Sequence, residues 1–165
     1  SPFYYNPQGE WDGPYEPRAQ ETMEWFISVL KPFIDTRFRT LPDRQHTFIS
    51  GSSMGGLMTL YALLMHNDVF SRGAALSPTL DIDIDQLCQM IQEAELTPDT
   101  VLYMDYGRRE FDYEHWSRNN FVRAAQLLGS KDILLSTRLV PEGEHNEASW
   151  EKQLPFAIPT LMYNI

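Results

Sequence analysis

The sequence predicts a layered α/β domain, a three-layer α/β/α sandwich around a mainly parallel sheet. Three observations predict it. Short β-rich runs recur at "HTFIS", "GAALSP", "VLYMDYG" and "ILLSTRLV". A segment of helical character follows each of them. Strict alternation of this kind marks parallel strands joined by crossover helices.

Residues 1–17 hold prolines at 2, 7, 14 and 17, which block regular structure. The same stretch carries Phe3, Tyr4, Tyr5, Trp11 and Tyr15, so it reads as a loop packed onto a surface. From Arg18 to about Asp35, apolar Met23, Phe26, Ile27, Leu30, Phe33 and Ile34 recur at helical spacing. Pro32 should kink or shorten that helix. "HTFIS" is the first strand, and the helix after it, from Met54 to His66, is apolar on most faces and therefore buried. "GAALSP" is a buried strand followed by a helix over Asp83–Glu95. "VLYMDYG" is next, then a helix from Tyr113 to Leu128 that stops at Gly129. "ILLSTRLV" is the last strand. The final helix runs from near Ala148 towards Tyr163, interrupted by Pro155 and Pro159. Right-handed crossovers are expected to put helices on both faces of the sheet. Four strands leave the edge before "HTFIS" bare.

Composition bounds the function. The chain has 165 residues, of which 42% are hydrophobic, enough for one domain spanning 1–165 with a real core. A net charge of −10 argues against nucleic acid or an anionic membrane as partner. No apolar run approaches the ~20 residues of a membrane span. With no signal peptide in view, the expectation is a cytoplasmic protein. The single Cys88 forms no internal disulfide and reads as a packing residue. The histidines are scattered, with no H-x-x-H or C-x-x-C pair, so neither a metal nor a cofactor is expected.

The chemistry concentrates in "GSSMG", which fits G-x-S-x-G with Ser53 at its centre. Ser52 does not fit, because Ser50 and Met54 flank it at two residues. The motif lies directly between a β-run and a helix, the context of a nucleophile elbow. A serine on so tight a turn needs small neighbours two residues to either side. The helix start offers N–H groups to a developing oxyanion, that of Met54 first. The competing reading is a glycine-rich turn whose serine merely caps the helix.

A nucleophilic serine needs a base and an acid to orient it. His46 lies at the wrong end of its strand, His66 ends the elbow helix, and His115 starts a later one. His145, in the polar loop "PEGEHNEASW" after the last strand, lies on the elbow side of the sheet and is the candidate base. The loop in "YMDYGRREFD" offers the acid. Glu110 is preferred, three residues past Gly107, with Asp105 and Asp112 in reserve. Its competing reading is a solvated carboxylate paired with Arg108 or Arg109.

At this point the chain resembles the putative esterase (esterase D-like) family of α/β-hydrolases. That group includes S-formylglutathione hydrolases, feruloyl and acetylxylan esterases, siderophore esterases and mycolyltransferases. "FIDTRFRTLPDRQHTFISGSSMGGLMTLYALLMHNDVFSRGAALSP", "LYMDYGRREF" and "VPEGEHNEASWEKQLP" carry the resemblance, with the helix leading into the first. It implies that Ser53 is the nucleophile, His145 the base and Glu110 the acid, where relatives often have Asp. It also implies an α/β-hydrolase fold lacking its amino-terminal strands and the loop with the second oxyanion donor. That part would come from a missing segment or from a second copy. The activity implied is ester hydrolysis through an acyl-enzyme, on a small-molecule or carbohydrate-linked ester. Acyl transfer and a non-catalytic binding module on the same fold are the alternatives. Trp11, Arg108 and Arg109 are candidate substrate contacts. Core cover explains the first equally well, and surface charge balance the other two.

Overall fold

The computed structural model describes residues 18–110 and 115–165. The aromatic loop with Trp11 and Tyr15 lies outside them, as do Asp112 and Tyr113. The first helical stretch is α1 (Ala19–Trp25), a π-helical turn (Phe26–Leu30) and α2 (Lys31–Arg37) in direct succession. Pro32 explains the irregularity. It has no N–H for the Ser28 carbonyl, and its ring crowds that carbonyl in a regular α-turn. The wider π-turn, in which Lys31 N–H donates to Phe26 O, relieves the crowding.

The alternation that follows is β1 (Phe48–Ser52), α3 (Met54–Met65), β2 (Arg72–Leu76), α4 (Ile84–Glu93), β3 (Val101–Gly107), α5 (His115–Leu128) and β4 (Leu134–Val140). Asp83 caps α4 by accepting from the Gln86 N–H at 2.9 Å. The chain closes with α6 (Glu147–Glu151) and α7 (Leu154–Leu161). The break between them falls just before Pro155, which occupies the first turn of α7, where a missing N–H costs nothing.

All three strand pairings are parallel, in the order β1-β2-β3-β4. Ser52, Leu76, Asp105 and Arg138 share one rung near the carboxyl ends of the strands. Those ends therefore open onto a common edge, where the loops after β1, β2, β3 and β4 meet.

The sheet has helices on both faces, but the crossovers do not supply both layers as expected. α3, α4 and α5 all contribute to one apolar cluster with Ala75, Leu102, Met104 and Tyr106. Strands laid down in consecutive order with crossovers of one hand send every connecting helix over the same face. The opposite face is covered from the carboxyl terminus. There Ala157 and Leu161 of α7 and Trp150 of α6 pack on Ala74, Leu76 and Tyr103. β2 and β3 are buried throughout, as strands covered on both faces are.

Among the described residues, β1 pairs on one side only. Beside its start lies an apolar groove of about 570 Å³, walled by Phe26, Leu30, Ile34, Leu41, Phe48 and Met162. Its lining includes none of Ser53, Glu110 and His145. No described helix is long and apolar enough to cross a membrane.

Candidate active site

The turn from β1 into α3 forces Ser53 into φ 56°, ψ −121°, a left-handed conformation in which a serine is strained. Gly51 makes the turn possible. A Cβ there would stand 2.6 Å from the Gly55 carbonyl carbon and oxygen. Gly55 itself is different, since a Cβ on it would meet nothing within 4 Å. The demand for small residues on both sides of the serine thus holds for Gly51 and not for Gly55. The third glycine is the unexpected one. A Cβ on Gly56 would stand 2.9 Å from Pro78 Cα, so Gly56 lets α3 close onto the turn after β2.

The Ser53 hydroxyl makes no capping bond to α3. It lies instead 2.8 Å from His145 Nε2 and 3.3 Å from Thr79 Oγ1. His145 Nδ1 is 2.8 Å from Glu110 Oε2. The structure thus brings Ser53, His145 and Glu110 into one hydrogen-bonded line. With Nδ1–H donating to the carboxylate, Nε2 is left to accept from the serine. Trp150 packs edge-on against the imidazole, ring centres 5.1 Å apart, and limits its rotation.

Glu110 is not the solvated carboxylate of the competing reading. Its side chain is wholly buried, and Oε1 accepts from Ser77 Oγ at 2.5 Å and from Gly107 N–H at 2.6 Å. Two glycines bring the loops that carry Glu110 and His145 together. A Cβ on Gly143 would stand 2.7 Å from Gly107 Cα. Arg109 N–H donates to Gly143 O at 2.9 Å across the same contact. The Arg109 side chain pairs with Glu142, and Arg108 is exposed.

Of the reserve acids, Asp105 is buried, and both of its carboxylate oxygens are engaged by other donors. It accepts from the Ser77 N–H at 3.0 Å and the Tyr103 hydroxyl at 2.9 Å. Burial pushes its carboxyl up to about 6, against the pull of those two donors. Burial also raises the Tyr103 hydroxyl well above its ordinary value. Two of the other histidines have different neighbours. His46 bonds Asp43 at 2.8 Å before β1, and His66 stacks edge-on with Tyr61 at the end of α3. Met54 is the first residue of α3, and first-turn amides have no partner within their helix.

A family model described as "Putative esterase" matches residues 4–161. The chain belongs to this putative esterase family. A search of curated protein sequences gives no significant match. Solved structures similar to it include a ferulic acid esterase, at 20% identity and TM-score 0.72, over 92% of this chain and 64% of that one. An IroE-like serine hydrolase from Shewanella oneidensis matches at 20% identity and TM-score 0.74, over 92% of this chain and 51% of that one. The fluorophosphonate-binding serine hydrolase F of Staphylococcus aureus matches at 18% and TM-score 0.64, over 86% of this chain and 64% of that one. At these identities the likeness is one of fold. The chain spans less than two thirds of the length of each of these structures.

No sequence motif singles out Ser77, Thr79 or Gly143, and Gly107 marks only the end of its strand. A positional signal exists for each: all four follow or end a strand at the sheet edge that carries Ser53.

Proposed function

We propose that the protein is a serine carboxylic-ester hydrolase that works through an acyl-enzyme. One observation carries the reading: the unbroken line Ser53 Oγ to His145 Nε2, and His145 Nδ1 to buried Glu110, at 2.8 Å for each step. Ser53 Oγ attacks the ester carbonyl carbon as its proton passes to Nε2. The carbonyl oxygen becomes an oxyanion, stabilised by the Met54 N–H and the positive end of α3. Glu110 holds the neutral imidazole in the accepting tautomer and stabilises the imidazolium that forms. Collapse of the intermediate breaks the bond to the alcohol oxygen, which leaves with the proton from Nε2. Water then gives its proton to Nε2 and attacks the acyl carbon. The second collapse returns the proton to Ser53 Oγ and releases the acid.

Membership of the putative esterase family supports the reaction class. The ferulic acid esterase among the fold neighbours supports including aromatic-acid esters in the substrate search. An alcohol in place of water would turn the second half into acyl transfer, which product analysis with acceptor alcohols separates. The test is Ser53→Ala in the full chain. Turnover of p-nitrophenyl acetate should disappear while the fold persists. Undiminished turnover overturns the proposal. A folded chain with no turnover on acetyl, feruloyl, formylthio or siderophore-lactone esters supports a binding module instead.

A further inference from the structure

The turn after β2, Ser77-Pro78-Thr79, touches both ends of the Ser53–His145–Glu110 line. Ser77 has φ 42°, a left-handed conformation that glycine adopts freely and serine does not. It is also buried, at 2% exposure. Its N–H faces Asp105, 3.1 Å from the backbone oxygen and 3.0 Å from Oδ1. That fixes the backbone, and the hydroxyl then reaches Glu110 Oε1 at 2.5 Å. Two residues on, the Thr79 N–H donates to Ser53 O at 3.1 Å. Pro78 lies against Gly56 in the first turn of α3. The position of Ser77 is thus registered to the nucleophile through the backbone and to the acid through a side chain.

A non-glycine residue held in a left-handed conformation calls for a reason in its side chain. Here the hydroxyl supplies one. A carboxylate on a flexible arm rotates about its last bond. Two donors on Oε1, Ser77 Oγ and Gly107 N, stop that rotation and leave Oε2 aimed at His145. We infer that Ser77 is a positioning residue, whose hydroxyl sets the Glu110 carboxylate for its bond to His145. The inference rests on the proposed assignment of Ser53, His145 and Glu110.

The test is Ser77→Gly, with Ser77→Ala beside it, in the full chain. Alanine removes only the hydroxyl and keeps the strained backbone, whereas glycine removes the whole CH2OH side chain and relieves the strain. The glycine variant should therefore unfold at or above the wild-type urea midpoint, while kcat for an activated ester falls about 10–100-fold, one charge-assisted hydrogen bond being lost. KM should stay within about twofold, because ground-state binding does not use this bond. In a Glu110→Gln background the Ser77→Gly change should cost less than about threefold, since the carboxylate it positions is already gone. A merely structural serine gives the same loss in both backgrounds. An active wild type with kcat of Ser77→Gly within about twofold of it overturns the inference and leaves the esterase reading standing. So does a Ser77→Gly chain that does not fold. A folded wild type with neither turnover nor labelling at Ser53 overturns the esterase reading, and this inference with it.

Discussion

Exchanging Glu110 for glutamine tests the acid at nearly constant shape. Oε1 receives two donors, Ser77 Oγ at 2.5 Å and Gly107 N–H at 2.6 Å. The NH₂ of an amide cannot take that place, because the Gly107 N–H would then face another donor. The amide oxygen therefore stays on that side and NH₂ turns to His145 Nδ1. Nδ1 must now accept, which moves the imidazole proton to Nε2, towards Ser53. The base then holds a proton where it should receive one. Loss of the correct tautomer costs about 10⁴ in kcat, or roughly 5.5 kcal/mol of barrier. Glu110→Asp keeps the charge but shortens the arm by one methylene, so it cannot span the Oε1 donors and His145 together. A misplacement of about 1 Å costs on the order of 10²-fold. The assay is kcat on p-nitrophenyl acetate, with thermal unfolding to show that both variants fold. Glu110→Gln within tenfold of wild type would refute the tautomer argument. So would an aspartate variant that falls as far as the glutamine one.

Two further predictions concern the frame around these residues. The Asp105 carboxyl is raised from its ordinary 3.8 to about 6, so the stability it contributes is full below about pH 4 and is lost as pH rises through about 6. Asp105→Asn removes that loss. Its urea stability relative to wild type should climb between about pH 4 and 6 by up to roughly 3 kcal/mol and then level off; a difference flat with pH would contradict the cause assigned. At the elbow, Gly51→Ala puts a Cβ 2.6 Å from the Gly55 backbone and should destabilise by about 2–4 kcal/mol in urea unfolding. Gly55→Ala enters open space in a helix and should gain up to about 1 kcal/mol. Equal effects at the two glycines would show that the asymmetry is wrong.

The strands and helices were legible because their signals are local. Alternation of β-rich and helical runs, Gly129 after α5 and the prolines near α2 and α7 each act within a few residues. Pro32 pointed to an irregularity, and the π-turn before it is where the backbone absorbs one. The placement of all three crossover helices on one face was not legible, because it depends on strand order and no residue encodes that order by itself. The same limit divided the site. Ser53 sits in a local motif, and His145 could be picked by position along the chain, which preferred Glu110 but kept Asp105 and Asp112 in reserve. Ser77 belongs to no motif. Its bond to Glu110 spans residues far apart in sequence and forms only once β2 and β3 lie side by side. Gly107 and Gly143 likewise look like ordinary turn residues until the loops carrying them are pressed together. What separates Glu110 from Asp105 is the partner each carboxylate takes, His145 for the one and Ser77 N–H with the Tyr103 hydroxyl for the other, which spacing does not reveal.

The most direct test of the central claim is covalent labelling of the full-length protein with a fluorophosphonate, read by intact mass and peptide mapping. One adduct per chain is expected on Ser53, absent in Ser53→Ala and slowed by orders of magnitude in His145→Ala, since His145 Nε2, 2.8 Å from Ser53 Oγ, is the group placed to take the serine proton. An adduct on any other residue, equal labelling of Ser53→Ala, or an unlabelled folded wild type would contradict it.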